Sequence, residues 1–138
     1  MSRRSRIAAG IAASVIAFAM LAVVLTAFSH PSIAPEDLLQ AIAAAKAPLI
    51  IDVRTSREYQ AGHITGAIHI PHLEVWFHRR EFPAAKTDPI VVYCSHGPRA
   101  WIAAFQLWTL SYQNVASLQR HMSGWERQGF PLRTGAAP

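Results

Sequence analysis

Ile90-Val91-Val92-Tyr93 is an apolar, β-prone run with no polar face, and Leu49-Ile50-Ile51-Asp52-Val53, following Pro48, is nearly a second. A strand that is apolar on both sides must be covered on both sides, as happens inside a parallel sheet with helices on each face. The segments between these runs have helical character. Pro35-Glu36-Asp37 supplies the proline and acidic first turn of a helix over residues 35–45. Thr55-x-x-Glu58 is a capping box that starts a helix of about two turns, closed by Gly62. Residues 67–70 form a short strand stopped by Pro71, and residues 73–80 have apolar side chains spaced for one helix face. Residues 100–110 are apolar on several faces, which predicts a helix largely enclosed by the fold. Residues 114–118 read as a strand, and residues 122–128 as a last helix with Gly129 at its end and Pro131 beyond. Strands alternating with helices predict an α/β fold with a mainly parallel central sheet flanked by helices.

The 138 residues suffice for one such domain and not for two. Residues 7–28 carry no charge and follow Arg3, Arg4 and Arg6. About 20 apolar residues cross a ~30 Å hydrocarbon core, so the stretch predicts one N-terminal apolar helix. Basic residues on its leading side alone place the N-terminus in the cytoplasm and the domain on the extracytoplasmic (periplasmic) side. Its length favours a transmembrane anchor. The other reading is a signal peptide cleaved near Ala27-Phe28-Ser29, leaving a secreted domain. Either way the chain divides into residues 1–29, anchor or signal, and residues 30–138, the folded domain, joined by a linker over residues 29–35. The net charge of +5 includes those three arginines, and the remaining basic residues are scattered without a zinc-finger or RNA-binding motif. Nucleic acid is thereby excluded as a partner. Seven histidines show no tight metal-ligand spacing, so neither metal nor cofactor is expected.

Cys94 is the single cysteine, so no disulfide forms within one chain. It closes the Ile90–Tyr93 run and opens Cys94-Ser95-His96-Gly97-Pro98-Arg99, directly before the helix at residue 100. A strand-to-helix loop of this size can turn its backbone N–H groups inward at a helix N-terminus, a setting that stabilises an anion or a thiolate nucleophile. Pro98 lacks an N–H and leaves a gap in the cradle, while Gly97 permits angles closed to other residues. A buried strand-end cysteine acting as a small hydrophobe is the alternative. The four tryptophans read mainly as core, with Trp101, two residues past Arg99, placed to overhang the pocket mouth.

Several motifs then fall in order. Leu49-Ile50-Ile51-Asp52-Val53-Arg54 with Glu58-Tyr59, Gly62-His63-Ile64-Thr65-Gly66-Ala67-Ile68-His69-Ile70-Pro71, Cys94-x-x-Gly97-x-Arg99, and Gly124-Trp125 before Gly129-Phe130-Pro131 together resemble the rhodanese family over residues 33–133. The resemblance implies a rhodanese-like domain with sulfurtransferase chemistry. Cys94 would take the outer sulfur of thiosulfate as a persulfide, release sulfite, and pass the sulfur to cyanide or a thiol. Ser95, His96, Gly97 and Arg99 would form the substrate-binding loop, with Ser95 and Gly97 offering N–H groups only. Arg99 would hold an anionic sulfonate or lie on the surface, and His96 would meet substrate or solvent. The loop counts six residues from Cys94 to Arg99, which the resemblance assigns to sulfur transfer; related phosphatases use one residue more. Asp52, Arg54 and His63 would organise the backbone beneath. Arg120-His121 stand where the family commonly has Gly-Gly, and Ser111 where it has Gly; the two large side chains must point outward or narrow the pocket. The alternative function is a non-catalytic binding or regulatory module anchored to the membrane. The protein partner is not named by the sequence.

Overall fold

The structure is a computed structural model that describes residues 3–27 and 31–137. Its centre is a five-stranded, wholly parallel sheet in the order β1-β5-β4-β2-β3. The strands are β1 (Ser32–Ile33), β2 (Leu49–Asp52), β3 (Ala67–His69), β4 (Ile90–Tyr93) and β5 (Val115–Leu118). The helices are α1 (Arg3–Ala27), α2 (Pro35–Ala43), α3 (Ser56–Ala61), α4 (Pro98–Thr109) and α5 (His121–Arg127). The α/β architecture predicted from the apolar runs is thus present.

Side chains alternate across a strand, and β2 and β4 build a core on each side accordingly. Ile51, Val53, Ile90, Val92 and Cys94 face Ala100, Ala103, Ala104 and Leu107 of α4. Ile50, Val91 and Tyr93 face Leu38 of α2 and Met122 and Trp125 of α5. From β2 the chain leaves through α3 to β3 on one side, and from β4 through α4 to β5 on the other. The carboxyl ends of β2 and β4 therefore form a topological switch point, where open α/β sheets leave a crevice for ligands.

Several expectations are corrected. Residues 73–80 form no α-helix but two 3-10 turns, Val75–Phe77 and Arg79–Glu81. Their apolar spacing does not mark a core face, because Val75 alone is buried, while Leu73, Trp76 and Phe77 are exposed, Phe77 by 82%. α4 starts at Pro98, so Pro98 and Arg99 lie in its first turn instead of the loop. It is not enclosed: Trp101 and Trp108 are exposed, and of the four tryptophans only Trp125 is buried. The linker contains β1, whose pairing with β5 places Ser32 and Ile33 beside Ser117 and Leu118. The membrane-spanning segment over residues 7–28 is not supported. α1 does cover Arg3–Ala27, but among the described residues no helix is long and apolar enough to cross a membrane. Phe28, and with it the proposed cleavage site at Ala27-Phe28-Ser29, lies outside the described residues.

Candidate active site

At the end of β2, Val53 N–H donates to the Tyr93 carbonyl, drawing the ends of β2 and β4 together. Beneath them lies a buried ion pair. Asp52 Oδ1 accepts from Arg54 N (3.0 Å) and Nε (3.0 Å), and Oδ2 from Nη2 (2.6 Å), which also donates to the Gly62 carbonyl at 2.6 Å. Burial opposes the Arg54 charge, and the Asp52 carboxylate outweighs it, so the guanidinium is held protonated more firmly than usual. Tyr93 stacks under Arg54, with the guanidinium carbon 5.7 Å from its ring, and its hydroxyl accepts the Ile64 N–H. Burial, reinforced by Asp52, pushes the Tyr93 phenol far above its ordinary range. His63 is buried, with its ring nitrogens bonded to the Tyr59 and Ala137 carbonyls. Asp52, Arg54 and His63 thus take the organising place expected of them, and Tyr93 joins them in this floor.

Above the floor, Cys94 directly follows β4 with 1% of its surface exposed. Its carbonyl accepts the Met122 N–H at 3.0 Å, and the Ser95 carbonyl accepts Ser123 N (3.3 Å) and Oγ (2.5 Å). Carbonyl and following N–H point in opposite directions across a trans peptide, so anchoring these carbonyls on α5 turns the Ser95 and His96 N–H groups away from it. Gly97 N–H donates to Cys94 Sγ at 3.0 Å, which stabilises negative charge on the sulfur. Gly97 has φ +132°, a conformation a side chain would strain.

Arg99 turns to α3. Nη1 donates to Glu58 Oε2 at 2.8 Å, and Nη2 to Glu58 Oε1 and Ser95 Oγ, each at 2.9 Å. Ser95 Oγ donates to Glu58 Oε1 at 2.8 Å. Ser95 therefore contributes its hydroxyl as well as its amide, and Arg99 is occupied by a carboxylate. Hydrogen bonds from Arg99, then Thr55 and Ser95, hold the Glu58 carboxyl far below the usual carboxylate range. Glu58 also closes the expected capping box, accepting Thr55 N at 2.9 Å. Sequence reasoning read Glu58 as a cap and a motif position and missed its hold on the loop. His96 is exposed at the loop tip. Trp101 stacks on Phe105, with centroids 6.1 Å apart, while its backbone N–H caps back to the Gly97 carbonyl. The structure thus brings Cys94, Ser95, Gly97 and Arg99 together and leaves His96 outward. Among the described residues no group of side chains could hold a metal ion.

Fold and loop together define a single-cysteine α/β domain that holds a sulfur atom against main-chain amides at the switch point of a parallel sheet. The chain belongs to the rhodanese-like domain family, which it matches over residues 34–128. It is 31% identical over 97 residues to a sulfurtransferase of Allochromatium vinosum, covering 70% of this chain and 89% of that one. It is 35% identical over 102 residues to the thiosulfate sulfurtransferase GlpE of Pseudomonas entomophila, covering 74% and 89%. A thiosulfate sulfurtransferase structure from Pseudomonas aeruginosa superposes with a TM-score of 0.67 at 30% identity, over 77% of this chain and 20% of that one.

Proposed function

We propose that this protein is a sulfurtransferase carrying sulfane sulfur as a Cys94 persulfide, from thiosulfate or a similar donor to a thiophilic acceptor such as cyanide or a thiol. The observation that carries the reading is the Gly97 N–H aimed at Cys94 Sγ at 3.0 Å. That contact sets a main-chain N–H donor against the one sulfur that could carry the persulfide. The relatives named as sulfurtransferases support the same reaction class. The Cys94 thiolate attacks the outer sulfur of the donor. The donor's sulfur–sulfur bond breaks, sulfite departs with the electron pair, and the acceptor later removes the outer sulfur and restores the thiolate. The test is thiocyanate formation from thiosulfate and cyanide by the full chain and its Cys94→Ser variant, with intact mass read before cyanide is added. Activity and a one-sulfur mass gain, both lost in the variant, are expected. A folded, reduced protein with neither points to the binding module.

From the sequence alone we further propose that the uncharged stretch behind Arg3, Arg4 and Arg6 acts as a signal that delivers the domain to the extracytoplasmic side. Protease added to spheroplasts should degrade it there, and protection until lysis would refute the placement.

A further inference from the structure

An anionic donor approaching Cys94 meets an Arg99 whose charge is largely offset, because both terminal nitrogens of that side chain donate to the Glu58 carboxylate. A second basic side chain reaches the loop from the opposite wall. A Cβ built on Gly97 would meet His121 Nε2 at 3.3 Å and Cδ2 at 3.6 Å, so the imidazole lies directly against the residue whose N–H holds Cys94 Sγ. Adding the intervening bond lengths and the 3.0 Å hydrogen bond places Nε2 within about 9 Å of the sulfur. A donor on that sulfur that extends toward Gly97 would bring its far end into the range of the ring. The position is held by the backbone. Arg120 and His121 both adopt left-handed φ, +57° and +51°, and the next residue, Met122, is tied to the Cys94 carbonyl. The glycine-like turn is therefore kept although side chains occupy it. Arg120 is exposed, while His121 is partly buried against the loop.

We propose that His121 is a specificity-determining residue of the sulfur site, and that its ring N–H, more than Arg99, engages the anionic end of the sulfur donor at the pocket rim. The inference rests on the sulfurtransferase reading for the identity of the donor. His121 forms and breaks no covalent bond. It steadies the charge that stays on the sulfite as the donor's sulfur–sulfur bond breaks in favour of the bond to Cys94, so charge and electrons balance without an oxidant.

The test uses the full chain with His121→Gly, which suits the left-handed backbone, and His121→Gln, which keeps a donor of similar reach. Thiosulfate is varied at saturating cyanide. A hydrogen bond to an anion of this kind predicts a KM for thiosulfate raised about tenfold in His121→Gly, with kcat within about twofold, and an intermediate KM in His121→Gln. An unchanged KM, or a fall in kcat alone, overturns the proposal. A second readout needs no sulfur transfer: the ratio of Cys94 alkylation rates by anionic iodoacetate and neutral iodoacetamide. The ratio should fall about fivefold or more in His121→Gly, and an unchanged ratio overturns the proposal. If the wild-type chain forms no persulfide while the ratio still falls, the sulfurtransferase reading fails and the role of His121 stands.

Discussion

Replacing Glu58 by glutamine tests whether the Cys94 loop is held from α3. One carboxylate accepts from Thr55 N (2.9 Å), Thr55 Oγ1 (2.6 Å), Ser95 Oγ (2.8 Å), and Arg99 Nη1 (2.8 Å) and Nη2 (2.9 Å). An amide keeps one acceptor oxygen and turns an NH2 on the donors that met the other. Hydrogen bonds to charged groups are worth about 1.5–3 kcal/mol when buried, and exposed ion pairs about 0.2–1 kcal/mol. The Arg99 and Glu58 side chains are 27% and 34% exposed, so solvent screening discounts the larger figures. A loss of about 1–2 kcal/mol at pH 7 results, readable by urea denaturation. Its pH dependence carries a definite sign. A carboxyl held low in the folded state stabilises fully above its unfolded value, near 4.5, and loses that contribution progressively as pH falls below it. The gap between wild type and Glu58→Gln should therefore be largest at pH 6–7 and shrink between about pH 4.5 and pH 3. Equal urea midpoints at pH 7, or a gap that stays constant down to pH 3, would refute the reasoning.

Gly97→Ala strains a φ of +132° and crowds His121 Nε2 at 3.3 Å. It should cost about 1–3 kcal/mol in urea and slow thiocyanate formation, and wild-type values in both would contradict the assigned backbone. Gly124→Ala places a methyl well inside contact of Arg120 Cβ. The expected cost is about 1–3 kcal/mol, mostly recovered by adding Arg120→Gly. A double-mutant cycle should show coupling of about 1 kcal/mol or more, whereas additive effects would refute the contact. Asp52→Asn uncouples a pair whose Arg54 and Asp52 side chains are 6% and 0% exposed. A loss of about 3–5 kcal/mol by chemical denaturation is expected, and a loss below about 1 kcal/mol would sink the claim that the floor is a buried charge pair.

The two-sided apolar runs at β2 and β4 announced the parallel sheet, because a strand covered on both faces leaves no polar alternation. The Thr55-x-x-Glu58 signal announced α3, because capping is a local interaction. Local signals stop there. The hold of Glu58 on Arg99 joins residues 41 apart, and no periodicity encodes such a contact. β1 is two residues long, too short for a pattern, and is defined by its neighbour β5. The apolar residues at 73–80 misled because Leu73, Trp76 and Phe77 face outward, so their spacing does not reflect burial. The replacement of glycines was visible at Ser111, Arg120 and His121. The left-handed backbone survives at all three, with φ of +69°, +57° and +51°, which no local pattern encodes.

The loop that presents Cys94 borrows its walls from segments distant along the chain: Glu58 lies 37 positions before Ser95, and Ser123 follows it by 28. Contacts of that separation form only after the intervening chain has been closed, a step that costs entropy before any contact rewards it. Pairing of Leu49 with Ile90 closes a span as long as this, so once β2 and β4 have met the Glu58 contact adds little further closure, and the loop is fastened after the sheet. Substitutions at Glu58 or Ser123 therefore belong to the class that hastens unfolding while leaving the folding rate nearly untouched. A chain still growing, with Arg99 made and residue 123 not, has the Glu58 flank of this loop and lacks the α5 flank, so the full Cys94 arrangement appears only with α5.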